Sequence, residues 1–260
     1  MVIDLTCKNS NKFSATMHQQ ITVVNKQGQK LDGVLHDTGS TNIVVLCHAF
    51  RSSKEHFAMV KLAGALENEG ITAFRFDFSL TEYTEDSYYS GNYNSEIEDL
   101  RAVVEYFSAV NRPVAAILGH SKGANVVLEY ASKYHDIGAV INVSGRYDPW
   151  HIDLKSRKAS SDYEVTKENK SKQVDTNIHE EWLTIDPRCK VLTVHGTADN
   201  DVALDDAYEI GKVVPNHQLQ LVDGADHTYH ARLDQLAAAV VHFAKELFQK
   251  MPLPSHLVTK

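Results

Sequence analysis

Apolar positions along this chain fall into two alternating kinds of run. The first kind is short: "NIVVLCH" (42–48) is a continuous apolar run and "PVAAILGH" (113–120) another buried strand, and "TAFRFDF" (72–78), "AVINVSG" (139–145), "KVLTVHG" (190–196) and "HQLQLVDG" (217–224) read as further strands. Unbroken apolar runs of strand length predict strands buried on both faces, as in a parallel sheet. The second kind has helical spacing. In "NSEIEDLRAVVEYFSAV" (94–110), Ile97, Leu100, Val103, Val104 and Phe107 share one face. Similar runs cover 54–70, 122–136, 203–214 and 232–249, and the first ends at Gly70, a residue suited to the position after a helix C-cap. Ahead of these, "ITVVNKQGQKLDGVLHD" (21–37) reads as a hairpin around a Gly-containing turn. The alternation predicts a single α/β domain over 1–260: a mostly parallel sheet with helices on both faces and antiparallel strands at one edge.

One segment breaks the rhythm. Residues 149–187 are strongly charged, lack clear apolar periodicity and are too long for an ordinary connection. The chain's tryptophans, Trp150 and Trp182, sit at its two ends. The segment is expected to form a small cap over the C-terminal edge of the sheet; the alternative is a solvated excursion anchored by its tryptophans.

Composition narrows the partners. The formal net charge of −8 disfavours nucleic acid and anionic membrane surfaces, which call for a basic face. The cysteines, Cys7, Cys47 and Cys189, are far apart and odd in number, which suits a reducing compartment. The N-terminal stretch lacks a signal-peptide core and no long apolar run occurs, so a cytoplasmic protein is expected.

Chemistry concentrates in "ILGHSKGANVV" (117–127). Gly119-His120-Ser121-Lys122-Gly123 matches G-x-S-x-G between an expected buried strand and an expected helix. Such a turn strains the serine backbone, needs small residues on either side, and presents the hydroxyl at a helix N-terminus. A serine needs a base, and the base an orienting acid. Asp199 follows the strand at 190–196 and His227 follows the strand at 217–224. Both lie beyond C-terminal strand ends, where sites of open α/β sheets form. His230 is the rival base, and Asp201 and Asp226 are rival acids, while His195 and His48 read as structural. An oxyanion hole needs two backbone N–H donors. Lys122 supplies one; Phe50, in the loop "CHAFRSS" (47–53), is expected to supply the other. For Lys122 only the backbone has a role in this reading.

With "CHAF", "RFDFS", "GHSKGA", "INVSGRYD", "VLTVHGTAD" and "GADH" in order, the chain resembles the α/β-hydrolase superfamily over nearly its whole length. More narrowly it resembles the small carboxylesterases that include bacterial cinnamoyl and feruloyl esterases and their plant relatives. The resemblance implies an α/β-hydrolase fold with Ser121, Asp199 and His227 as triad and Phe50 and Lys122 as oxyanion donors. It also implies a cap that shapes the substrate site, with Trp150, Trp182, Tyr83 and Tyr147 as expected substrate-binding residues. The expected activity is cleavage of a small-molecule carboxylic ester, with an aryl or hydroxycinnamoyl acyl group in view. No cofactor or metal is expected, and the protein is expected as a monomer or homodimer. Acyl transfer, thioester cleavage, lyase chemistry and ligand reception run on related sites and stay open. Two departures stand out: Ala49 where many relatives have glycine, and a tyrosine-rich stretch holding Tyr83, Tyr88, Tyr89 and Tyr93 in place of a Gly-rich turn.

Overall fold

The structure, a computed structural model, describes residues 18–79, 93–147 and 178–249. Its eight strands are β1 (His18–Val24), β2 (Lys30–His36), β3 (Ile43–Cys47), β4 (Thr72–Phe76), β5 (Val114–His120), β6 (Ala139–Val143), β7 (Lys190–Gly196) and β8 (His217–Val222). They form one sheet in the order β1-β2-β4-β3-β5-β6-β7-β8. The β1–β2 hairpin is antiparallel and β2 joins β4 antiparallel, while every later pairing is parallel. This is the expected fold, with the hairpin at one edge.

The helices are α1 (Phe57–Asn68), α2 (Asn94–Ala109), α3 (Lys122–Tyr134), α4 (Ile178–Trp182), α5 (Leu204–Val213) and α6 (Leu233–Gln249). Strands β3 to β6 are buried at every residue, so both sheet faces must be covered. One face packs Val45, Phe74, Ile117 and Val140 against Leu100, Phe107, Val127 and Ile210 of α2, α3 and α5. The other packs Val44, Leu46, Leu118 and Ile141 against Leu62 and Leu66 of α1 and Val240 and Phe243 of α6. Helix α1 starts where the His56 ring accepts the Ala58 N–H. Gly70, at φ +75°, follows its C-terminus, and Gly28, at φ +79°, turns the hairpin. No helix among the described residues is long and apolar enough to cross a membrane.

Helix α4, which no periodicity announced, closes the far end of the 149–187 segment. It lies against α3 and α5. There the expectation for Trp182 needs correction. Its side chain is 0% exposed and belongs to the core, with the Tyr147 ring 6.3 Å away and edge-on. An indole buried this way anchors the segment to the body and has no surface to offer a substrate in this structure. Tyr83, Trp150 and residues 149–177 of the expected cap lie outside the described residues.

Candidate active site

The site is assembled at the C-terminal ends of β5, β7 and β8. Strand β5 runs to His120, Ser121 follows in a left-handed conformation with φ 54° and ψ −116°, and α3 begins at Lys122. A non-glycine residue there costs on the order of 1–3 kcal/mol. The turn is held by the Ser121 N–H on the Val143 carbonyl (2.8 Å) and by the Ala124 N–H on the Ser121 carbonyl (2.9 Å). Both flanking glycines are forced by close approach. A Cβ on Gly119 would lie 1.9 Å from the Gly123 carbonyl oxygen, and one on Gly123 would lie 2.4 Å from that of Cys47. The second contact also sets the start of α3 against the exit of β3, where the loop carrying Ala49 and Phe50 begins.

Three side chains line up. Ser121 Oγ lies 2.9 Å from His227 Nε2, and His227 Nδ1 lies 2.8 Å from Asp199 Oδ2. Asp199 Oδ1 accepts the N–H groups of Asp201 and Val202, each at 2.9 Å. Burial pushes the Asp199 carboxyl up, but the His227 hydrogen bond, its charge and those two N–H groups outweigh it, and the carboxyl sits below its ordinary range. Ser121 is 7% exposed and His227 is partly open. The rivals do other work. The Asp226 carboxylate accepts from Thr228 and His230 within its own loop, Asp201 is exposed, and His230 packs edge-on against Phe57.

The neighbouring histidines brace this arrangement. His120 Nε2 donates to the His227 carbonyl (2.8 Å), fixing the His227 backbone. Burial, then the nearby His227, lower the His120 pKa to about 4, so it stays neutral. His195 Nε2 donates to the Val202 carbonyl (3.1 Å) behind the loop that carries Asp199. His48 Nδ1 donates to the Ala49 carbonyl (2.8 Å) and its Nε2 accepts the Phe78 N–H (3.3 Å), which ties the Phe50 loop to the end of β4.

Two features escaped the sequence. The first is the partner of the Lys122 side chain. Its ammonium is buried and hydrogen-bonds the buried Glu96 carboxylate of α2, with the Phe50 ring 5.8 Å from Nζ. The charges are 26 positions apart, and each looks like part of a solvated helix face. The second is the turn after β6. Ser144 has φ +50°, its Oγ donates to Tyr229 Oη (2.9 Å), and that hydroxyl donates to the Val194 carbonyl (3.1 Å). Gly145 donates its N–H to Asn142 Oδ1, and Asn125 of α3 clamps the Arg146 backbone through both its N–H and its carbonyl. Of the expected substrate residues, Tyr147 is half-buried beside this turn. The motif "INVSGRYD" was the available signal.

Solved structures share the fold. Est1E from Butyrivibrio proteoclasticus, in a structure with ferulic acid bound, gives a TM-score of 0.70 at 20% identity, over 88% of this chain and 100% of that one. The Pyrococcus furiosus esterase Pf2001 gives 0.71 at 20% identity, over 89% and 91%. XC6422 from Xanthomonas campestris, a serine hydrolase without lid, gives 0.65 at 20% identity, over 91% and 98%. No curated protein matches the chain in sequence. Residues 39–188, more than half of the chain, match the sequence profile described as serine aminopeptidase, S33. With its eight-stranded, mostly parallel sheet and its strained serine turn, this chain belongs to that family of α/β hydrolases.

Proposed function

We propose that the protein is a serine hydrolase that cleaves a small carboxylic ester through an acyl-serine intermediate. The observation that carries the reading is the continuous line Asp199–His227–Ser121, at 2.8 and 2.9 Å, ending on a hydroxyl held in a strained turn. Asp199 keeps the proton on His227 Nδ1, leaving the Nε2 lone pair toward Ser121 Oγ. Ser121 Oγ bonds to the ester carbonyl carbon while its proton passes to His227. The imidazolium then protonates the departing alcohol oxygen as the carbon–oxygen bond breaks. Water repeats the sequence on the acyl-enzyme: it gives a proton to His227, bonds to the carbonyl carbon and returns Ser121 with the free acid. The backbone N–H groups of Lys122 and Phe50 are the proposed donors to the oxyanion. Lys122 is the first residue of α3, so its N–H points out of the helix N-terminus. Gly123, packed on the Cys47 carbonyl, brings the Phe50 loop alongside.

An aryl or hydroxycinnamoyl acyl group is the proposed substrate class, supported by the sequence resemblance and by the ferulic acid in the Est1E structure. The family description favours a second reading, removal of an N-terminal amino acid from a peptide. That reaction calls for free carboxylates to hold an ammonium. Asp199 is taken by His227, and Glu96 by Lys122 beside the serine. A screen of 4-nitrophenyl esters, hydroxycinnamoyl methyl esters and aminoacyl 4-nitroanilides separates the readings. Turnover of esters, lost in Ser121→Ala, is expected; turnover of the anilides alone would replace the ester reading.

A further inference from the structure

The turn after β6 delivers a charge to the nucleophile that hydrolysis itself does not use. Arg146 lines the same hollow as Ser121, together with Tyr93, Lys122, Asn125, Ser144 and Val202. The hollow is narrow, with about 10 Å³ of room, the size of one water. Its polar lining is lopsided. Lys122 is neutralised by Glu96. Arg146 has no carboxylate within ion-pair distance among the described residues; Nη2 donates to the Asp201 carbonyl (3.0 Å), and the remaining N–H groups of the fork have no protein acceptor there. Asp201 contributes its carbonyl to this contact, and its side chain is exposed.

The position of Arg146 is also fixed from three sides. Asn125 of α3 holds its N–H (3.1 Å) and its carbonyl (2.6 Å). Ser144 and Gly145 hold the strained turn before it, where a Cβ on Gly145 would lie 2.3 Å from Asn142 Oδ1. The Asp201 carbonyl belongs to the loop that carries Asp199. A half-buried guanidinium with spare donors, preset beside a nucleophile and lacking a protein anion, is built to take an anion from outside.

We propose that Arg146 is a specificity-determining residue that binds a carboxylate carried by the substrate away from its scissile ester. The inference rests on the ester reading for its catalytic context, and it adds that the preferred esters are anionic. Either half of the ester can bring the carboxylate, and two matched pairs tell the halves apart. For the acyl half, 4-nitrophenyl hemiglutarate is compared with 4-nitrophenyl valerate. For the alcohol half, 4-butyryloxybenzoate is compared with phenyl butyrate.

The wild type is expected to prefer the anionic member of one pair by at least about tenfold in kcat/KM. Arg146→Gln should bring that ratio to near one, Arg146→Lys should keep part of it, and Arg146→Glu should turn it below one. A purely structural role would lower both members of a pair together and leave the ratio alone. Because Asn125 holds only the backbone of residue 146, these side-chain changes leave that clamp in place; thermal melts check each variant. Glutarate and 4-hydroxybenzoate binding to Ser121→Ala, measured by calorimetry, supplies a readout free of turnover. Binding lost on adding Arg146→Glu supports the inference even where no ester is cleaved, an outcome that would reject the ester reading instead. Equal anionic-to-neutral ratios in the wild type, Arg146→Gln and Arg146→Glu, or carboxylate binding absent or unchanged by Arg146→Glu, would overturn it.

Discussion

Among the described residues, two histidine–carboxylate pairs of the same length lie in different parts of the fold. At the C-terminal end of the sheet, His227 Nδ1 meets Asp199 Oδ2 at 2.8 Å. On the hairpin side, His36 Nδ1 meets Glu67 Oε2 at 2.8 Å, and His18 Nε2 joins the same oxygen at 3.1 Å. The difference lies beyond the imidazole. His227 Nε2 faces a serine hydroxyl, whereas His36 Nε2 accepts the Nε–H of Arg75 at 3.1 Å. An imidazole that gives one proton and accepts another on its second nitrogen has no lone pair left. His36 therefore has none for a proton or a metal ion, although His18, His36 and Glu67 gather ligand-type atoms within 4.8 Å of one another. Arg75 is itself held by Glu55 and the Lys54 carbonyl, so the arrangement is locked. The pair alone does not make a base; the group on the far side of the ring decides.

The largest effect separates the two sites directly. Ser121→Ala or His227→Gln should lower kcat by at least roughly 10⁴-fold, while His36→Gln should leave kcat within a few-fold, measured on the best ester of the screen. Comparable losses at both histidines would break the comparison.

The next effect is on stability. Removing one partner of a buried ion pair leaves the other charge stranded, at a cost of about 3–5 kcal/mol. Lys122→Met and Glu96→Gln should each show such a loss in denaturant unfolding, and Lys122→Met with Glu96→Leu should recover most of it. No recovery in the double variant would mean that the ammonium serves something other than Glu96.

Acid should weaken both regions. Burial lowers the pKa of His36, and that of His120 to about 4, against an ordinary 6.5. Below 6.5 the unfolded chain takes up protons that these folded sites refuse. Their contribution to stability is therefore complete above pH 6.5, falls as the pH drops, and is gone near pH 4 for His120. That residue alone accounts for about 3 kcal/mol, and urea unfolding at pH 7 and pH 5 reads part of it. Stability that stays level over this range would show that the ring is charged in the folded protein.

The smallest effect sharpens the comparison from the other side. Glu67→Gln should cost about 1–3 kcal/mol of stability through the lost charge-assisted bonds, without changing kcat, whereas Asp199→Asn should lower kcat by roughly 10⁴-fold. Thermal melts and initial rates on the two variants check this.

What the sequence made legible has a physical pattern. Ser121, Asp199 and His227 stood out because each follows a run of strand length, buried in β5 and β7 and largely open in β8, and the ends of parallel strands converge. The central strands were readable because a sheet covered on both faces demands long apolar runs, and the long helices by their helical spacing. The Lys122–Glu96 pair was not, since its members sit on separate helices and charges are ordinary on helix faces. Trp182 was misread for a related reason: a tryptophan at the end of a charged segment looks like part of a cap, and only packing against α3 reveals an anchor. Arg146 stood in a recognised motif, but its open donors depend on which carboxylates lie nearby, a question of three dimensions.

The central claim is that the Asp199–His227 pair makes Ser121 a nucleophile. Intact-mass and peptide analysis after treatment with a fluorophosphonate tests it most directly. The expected result is one adduct, on Ser121, absent in Ser121→Ala and formed far more slowly in His227→Gln. Unlabelled wild-type protein, or labelling at Ser121 that proceeds equally fast without His227, would contradict it.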